Sequence, residues 1–174
     1  MRITLKNLKV AEFASEETTC FSATVYLDGK RSFTARNDGH GGSHFMEPLG
    51  DYAKPSDRAK FIDAQNRLAA HAATLPPEDL GFLDGNGNPA TYQPDIEWLI
   101  NEALTDALHL KDMKRILKKV VGFKAGEPDD MRTWNVKADA HGIARVKHHN
   151  PGVKLLNEMP ETDALALWKE WIGG

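Results

Sequence analysis

Residues 19–27 set apolar side chains at every second position, Phe21, Ala23, Val25 and Leu27, and the run ends on Asp28-Gly29. A period of two marks a strand buried on one face. Asp-Gly accepts the positive φ angles of a two-residue hairpin turn. This stretch is therefore committed to an antiparallel hairpin, with Arg31, Phe33 and Ala35 continuing the pattern on the return strand. Ile3, Leu5 and Leu8 are separated by polar residues over positions 3–9 and add a strand before it. A three-strand meander is the expectation for the N-terminal part.

The return strand runs into Asn37-Asp38-Gly39-His40-Gly41-Gly42-Ser43-His44, where the glycines preclude a regular element. A helix capped by Ser56 follows Pro55, with Phe61, Ile62, Leu68, Ala69 and Ala72 as its apolar face. Residues 76–94, rich in Gly and Pro, read as a long loop. A second helix starts near Asp95, with Ile96, Leu99, Ile100, Ala103, Leu104, Ala107 and Leu108 in one stripe. That stripe then fails. On a straight helix Lys111, Lys114, Arg115, Lys118 and Lys119 take the apolar side, while Met113, Ile116, Leu117 and Val120 face the opposite way. One straight helix cannot bury both sets against one core, so a break is expected near His109-Leu110-Lys111.

Residues 120–123 and 131–136 read as a later hairpin, turning through residues 126–130. A weak helix over 138–148, a turn at Asn150-Pro151-Gly152 and a short strand at 153–156 follow. A last helix starts near Pro160 and buries Ala164, Leu165, Trp168, Trp171 and Ile172. Strands cluster in two groups separated by helices, unlike the regular alternation of a doubly wound sheet. The fold class is α+β, a mainly antiparallel sheet packed by three to five helices, in a single domain over residues 1–174.

Three stretches carry a likeness: residues 1–9, Asn37-Asp38-Gly39-His40-Gly41-Gly42, and Leu155-Leu156-Asn157-Glu158-Met159-Pro160. Together they resemble small proteins, of uncharacterised function, encoded by bacteriophages and plasmids. The resemblance implies a phage or mobile-element setting, and with it the host cytoplasm; an anti-defence role, for example that of an anti-CRISPR protein, is an expectation from that setting and not from any residue. It carries over no catalytic residue.

Three surfaces are candidates. In the glycine loop, residues Gly39, Gly41 and Gly42 can bring backbone N–H groups together around an anion. Asp38, His40 and His44 are a metal-ligating set, with His148-His149 as further donors. The alternative is a connection whose glycines serve turn geometry. The run from Asp84 to Asp95 spaces oxygen ligands as a calcium loop does, but Pro89 stands where that loop needs glycine, so a turn followed by a helix cap is the better account. Lys111, Lys114, Arg115, Lys118 and Lys119, with Lys124 just beyond, gather on one helix face and could meet phosphates or an acidic protein surface; the alternative is a solvated face.

The formal charge of −3 is too small for a nucleic-acid mimic and of the wrong sign for a globally basic binder. Cys20, the single cysteine, lacks an activating neighbour in sequence and reads as structural. No Gly-x-Ser-x-Gly elbow occurs, no acid/base couple stands out and no cofactor is implied. No apolar run approaches the ~20 residues of a membrane helix, so a cytoplasmic protein is expected. The leading expectation is a non-enzymatic binding protein that engages a host protein or ribonucleoprotein. A metal-dependent hydrolase or nuclease at Asp38, His40 and His44, and a nucleic-acid binder using the cationic face, are the alternatives.

Overall fold

The computed structural model describes residues 1–124 and 130–173, divided into two compact units, Met1–Ala107 and Leu108–Gly174.

The first unit is built on the predicted meander. Strands β1 (Ile3–Val10), β2 (Phe21–Leu27), β3 (Lys30–Asn37) and β4 (Phe45–Pro48) form an antiparallel sheet in the order β1-β2-β3-β4. Asp28 and Gly29, at φ 50° and 80°, make the turn between β2 and β3. Phe21, Ala23, Val25, Leu27, Phe33 and Ala35 are buried as expected. Arg31 is exposed instead, because the register slips between Val25 and Tyr26 and breaks the alternation before Phe33. A second slip lies between Lys6 and Lys9, where Asn7 has φ 54°. It explains why the apolar residues of β1 skip from Leu5 to Leu8. The fourth strand went unseen because it is short and offers no clean alternation.

Helix α1 (Pro55–Ala72) carries Lys54 at its N-cap position with no side-chain bond, so Ser56 lies inside the helix rather than capping it. Its buried face is Phe61, Ala64, Leu68 and Ala72, one residue per turn, while Ile62 and Ala69 lie outside that narrow strip and are exposed. The expected loop over 76–94 is instead an antiparallel hairpin of β5 (Glu78–Leu83) and β6 (Pro89–Tyr92).

Helix α2 (Ile96–Ile116) is continuous through His109, Leu110 and Lys111, where a break was expected. The premise of that expectation holds, and two interiors resolve it. Leu99, Ile100, Ala103 and Leu104 are buried within the first unit's residue range, and Met113 packs in the core of the second.

In the second unit, β7 (Lys119–Phe123) lies between β8 (Met131–Lys137) and β9 (Lys154–Leu155). The two faces of β7 serve different clusters. Val121 and Phe123 pack with Met113, Leu156 and Trp168, while Val120 packs with Val146 and Leu155. Helix α3 (Ala140–His149) starts on Asp139, whose carboxylate accepts from the N–H of Gly142 at 2.9 Å. Helix α4 (Glu161–Gly173) buries Ala164 and Trp168, but Trp171 and Ile172 in its last turn are exposed, against expectation. Most of the turn expected over 126–130 lies outside the described residues.

Candidate protein-interaction surface

The β5–β6 hairpin is fastened at its base and bare beyond it. Pro76-Pro77 cannot continue a helix and lead the chain from α1 into β5. At the other end of the hairpin, Gln93 Nε2 donates to the carbonyls of Ala72 and Leu75, each at 3.2 Å. Trp98 Nε1 donates to Glu78 Oε2 at 2.8 Å. The Asp95 carboxylate accepts from the N–H of Trp98 at 2.8 Å, which caps α2, and also bonds the Tyr92 hydroxyl. That bond, with burial and the charge of Asp95, pushes the Tyr92 phenol up to about 12. Burial acts to raise the carboxyl of Asp95, but the hydroxyl of Tyr92 and the backbone N–H groups outweigh it and hold it below its ordinary value.

The far end is closed by Asp84. Its carboxylate accepts from the N–H of Asn86 at 2.8 Å and of Asn88 at 2.9 Å, and Gly87, at φ 82°, donates to its carbonyl at 3.0 Å. Those backbone bonds lower its pKa. The carboxylate that headed a calcium pattern in the sequence is thus a turn-former, and the turn-and-cap account describes both Asp84 and Asp95.

Residues 76–89 are exposed throughout, including large apolar side chains: Leu80 is 47%, Phe82 60% and Leu83 66% exposed. Each such side chain contributes about 1.5–3 kcal/mol when buried, so their clustering on one element, unlike scattered surface leucines, calls for an account. The two strands bond only to each other. A lone two-stranded hairpin is marginal in water, and here the bonds at its base hold it.

The charges on the hairpin are of one sign. Residues 68–110 contain no lysine or arginine but seven aspartates and glutamates. This gap in the cations is the signal that sequence reading passed over, because the Gly and Pro content of residues 76–94 pointed to a loop. The near-neutral total charge hides it, since Lys111 opens a cationic stretch directly afterwards.

The glycine loop is a polar clasp. Asn37, buried, accepts at Oδ1 from Thr18 Oγ1 at 2.7 Å and from the N–H of Gly39 at 2.8 Å. Its Nδ2 donates to the Gly42 carbonyl at 2.7 Å and faces His44 Nδ1 at 3.1 Å. His44 Nε2 meets Asn101 Oδ1 at 2.9 Å, so the neutral ring protonated on Nε2 satisfies both contacts. Gly39 sits at φ 91°, where a Cβ would overlap the Ala14 carbonyl. Its own carbonyl accepts from the N–H groups of Glu16, Glu17 and Thr18. Gly41 has φ 83°, and a Cβ there would overlap the Glu17 carboxylate.

The expected metal ligands are dispersed among separate partners. Asp38 Oδ1 pairs with Arg36 at 2.7 Å, His40 Nδ1 with Glu16 at 3.1 Å, and His44 is turned inward with its side chain 4% exposed. Among the described residues no three His, Cys, Asp or Glu side chains gather as a metal site requires. His148 and His149 lie at the end of α3 in the second unit, ring against ring at 5.1 Å. Gly39 and Gly41 are both at positions where geometry requires glycine.

The cationic face is not one helix face. Lys111, Lys114 and Arg115 lie in the last turns of α2, Lys118 is in the turn that follows, and Lys119 begins β7. The helix ends at Ile116, so helical spacing cannot align the later lysines. Lys114 pairs with Glu161 at 2.6 Å, and Arg115 with Asp112 at 3.3 Å. Lys124 follows β7 and also has an interaction partner. Cys20 is a free thiol, half-buried, with its N–H bonded to Ser15 Oγ at 2.9 Å. No helix among the described residues is long and apolar enough to cross a membrane.

No family model, no curated protein and no solved structure matches this chain.

Proposed function

We propose that this chain is a non-enzymatic binding protein that docks onto a macromolecular partner through the β5–β6 hairpin. The supporting observation is a hairpin anchored by Gln93 and Trp98 that leaves Leu80, Phe82 and Leu83 in water. A small number of apolar and aromatic side chains carries most of the energy of a protein interface, and these three are placed to do so. The clasp around Asn37 spends the histidine and glycine chemistry of the loop on structure, which removes the main support for hydrolysis there. The cationic residues around Lys118 are divided among three elements and partly paired, which favours the hairpin over them as the docking element.

The resemblance to phage- and plasmid-encoded proteins is what supports a host macromolecule as the partner and an anti-defence role such as CRISPR inhibition. Genes neighbouring this one test that setting directly.

Affinity capture tests the binding reading. The immobilised full chain is expected to retain a macromolecule that the variant Phe82→Ser with Leu83→Ser does not, while Lys118→Glu retains it. Retention of nothing by the unaltered chain, across low and high salt, rules the reading out.

A further inference from the structure

The chemistry of the hairpin specifies what it binds. We infer that its partner is an extended protein segment that is both apolar and cationic, seated on β5 and β6; this rests on the binding reading above and deepens it.

The argument is one of complementarity. Leu80, Phe82 and Leu83 offer apolar contact. Around them stand the exposed carboxylates of Glu78, Asp79 and Asp84 on the hairpin, and Asp95 and Glu102 beside it in sequence. No lysine or arginine interrupts residues 68–110, so the hairpin itself carries only negative charges. An anionic segment pays repulsion to approach such a surface, and anionic lipid or nucleic-acid phosphate is repelled as well. A second hairpin of the same kind carries the same charges, which disfavours pairing with itself. A purely polar cationic segment leaves the apolar side chains wet. Each strand bonds only to the other, so each has an open edge where an extended backbone can add main-chain bonds. Two of these carboxylates, Asp84 and Asp95, are also held charged. Asp84 is kept low by the N–H groups of Asn88 and Asn86. At Asp95 burial opposes ionisation, but the Tyr92 hydroxyl and backbone N–H groups prevail.

The test uses three labelled synthetic peptides of equal length and the full chain. One alternates lysine with valine, one glutamate with valine, one lysine with serine. The lysine–valine peptide is expected to bind, at least about tenfold more tightly than either of the others, and to weaken as salt rises. Phe82→Ser with Leu83→Ser is expected to cost at least about tenfold in that affinity. Asp79→Asn with Glu102→Gln is expected to weaken binding and flatten the salt response, because asparagine keeps the oxygen that the Gly81 N–H uses. Lys118→Glu is expected not to weaken it. Circular dichroism and melting temperature confirm that each variant is folded, and the amide variants carry the test if the serine variant is not.

Equal binding of the glutamate–valine or lysine–serine peptide overturns the inference, as does binding unaffected by both hairpin variants. Hairpin-dependent binding to phosphatidylserine vesicles, or hairpin-dependent self-association in sedimentation, overturns it in favour of lipid or a second copy. If no peptide binds while affinity capture still retains a macromolecule through the hairpin, this inference fails and the binding reading stands. If capture also retains nothing, both fail.

Discussion

The indole N–H of Trp98 reaches the carboxylate of Glu78 at 2.8 Å, tying the first residue of β5 to the first turn of α2. Removing it by Trp98→Phe keeps an aromatic ring, though a smaller one, and deletes one charge-assisted bond, worth about 1.5–3 kcal/mol at most and less at a partly exposed site. The expected outcome is a small drop in global stability with clearly faster amide exchange in residues 78–92. Unchanged exchange there would show that the hairpin is held by other contacts.

Tyr92 and Asp95 give the base of the hairpin a pH window. The phenol is raised from 10.0 to about 12 in the folded protein, chiefly by its bond to Asp95. A raised acid favours folding below its unfolded value, and that contribution is lost as pH rises through about 12. Asp95 is lowered despite the opposing effect of burial, so its contribution is present above 3.8 and lost as pH falls through the lowered value. In an ultraviolet titration a tyrosine step is expected at about pH 12, and Tyr92→Phe is expected to remove it.

Gly39→Ala is expected to destabilise the first unit by at least about 2 kcal/mol, because a Cβ meets the Ala14 carbonyl at a left-handed φ of 91°. Gly42→Ala, with nothing within 4 Å of its Cβ, is expected to stay within about 0.5 kcal/mol of the unaltered protein. Urea unfolding of the two variants measures the contrast; equal costs would refute the account of the clasp.

His44→Leu removes the ring that Asn37 and Asn101 address from opposite sides. Its expected cost is about 1–3 kcal/mol, the penalty for stranding the buried amide of Asn37. Chelator is expected to leave the melting temperature of the unaltered protein where it was. A fall on adding chelator would return His44 to the role of ligand.

Met113 is buried in the second unit's core, and Met113→Ala is expected to cost about 2–4 kcal/mol there. Exchange should quicken in β7 and β8. Ile100→Ala, on the other apolar face of α2, is expected to quicken it in the first unit.

Much of the fold was legible because local chemistry was unambiguous. Alternation through Phe21 and Leu27 with Asp28-Gly29 identified the first hairpin, and Val120 to Phe123 with its partner identified the later one. The helices at Asp95 and Pro160 announced themselves through cap residues. Where the sequence misled, a longer-range cause intervened. The stripe of α2 failed for a sound reason, yet two interiors, rather than a break, resolve it. The hairpin at 78–92 was hidden because its apolar residues face water and so show no buried period. Asp38, His40 and His44 are close in sequence, but side-chain direction separates them: Arg36, Glu16 and Asn37 each claim one. The exposed acidic and apolar surface was within reach through the absence of cations over 68–110, a feature of range rather than of motif.

The open edges of β5 and β6 also bear on how the protein behaves when concentrated. Unpaired strand edges flanked by leucine and phenylalanine are templates for runaway stacking between molecules, and charge is the usual guard against it. Asp84, at the hairpin tip, keeps its charge further into acid than an ordinary aspartate does. Like charge at that tip opposes such stacking, so clumping of concentrated protein, read by turbidity, is expected to set in only once the solution is acidic enough to neutralise Asp84.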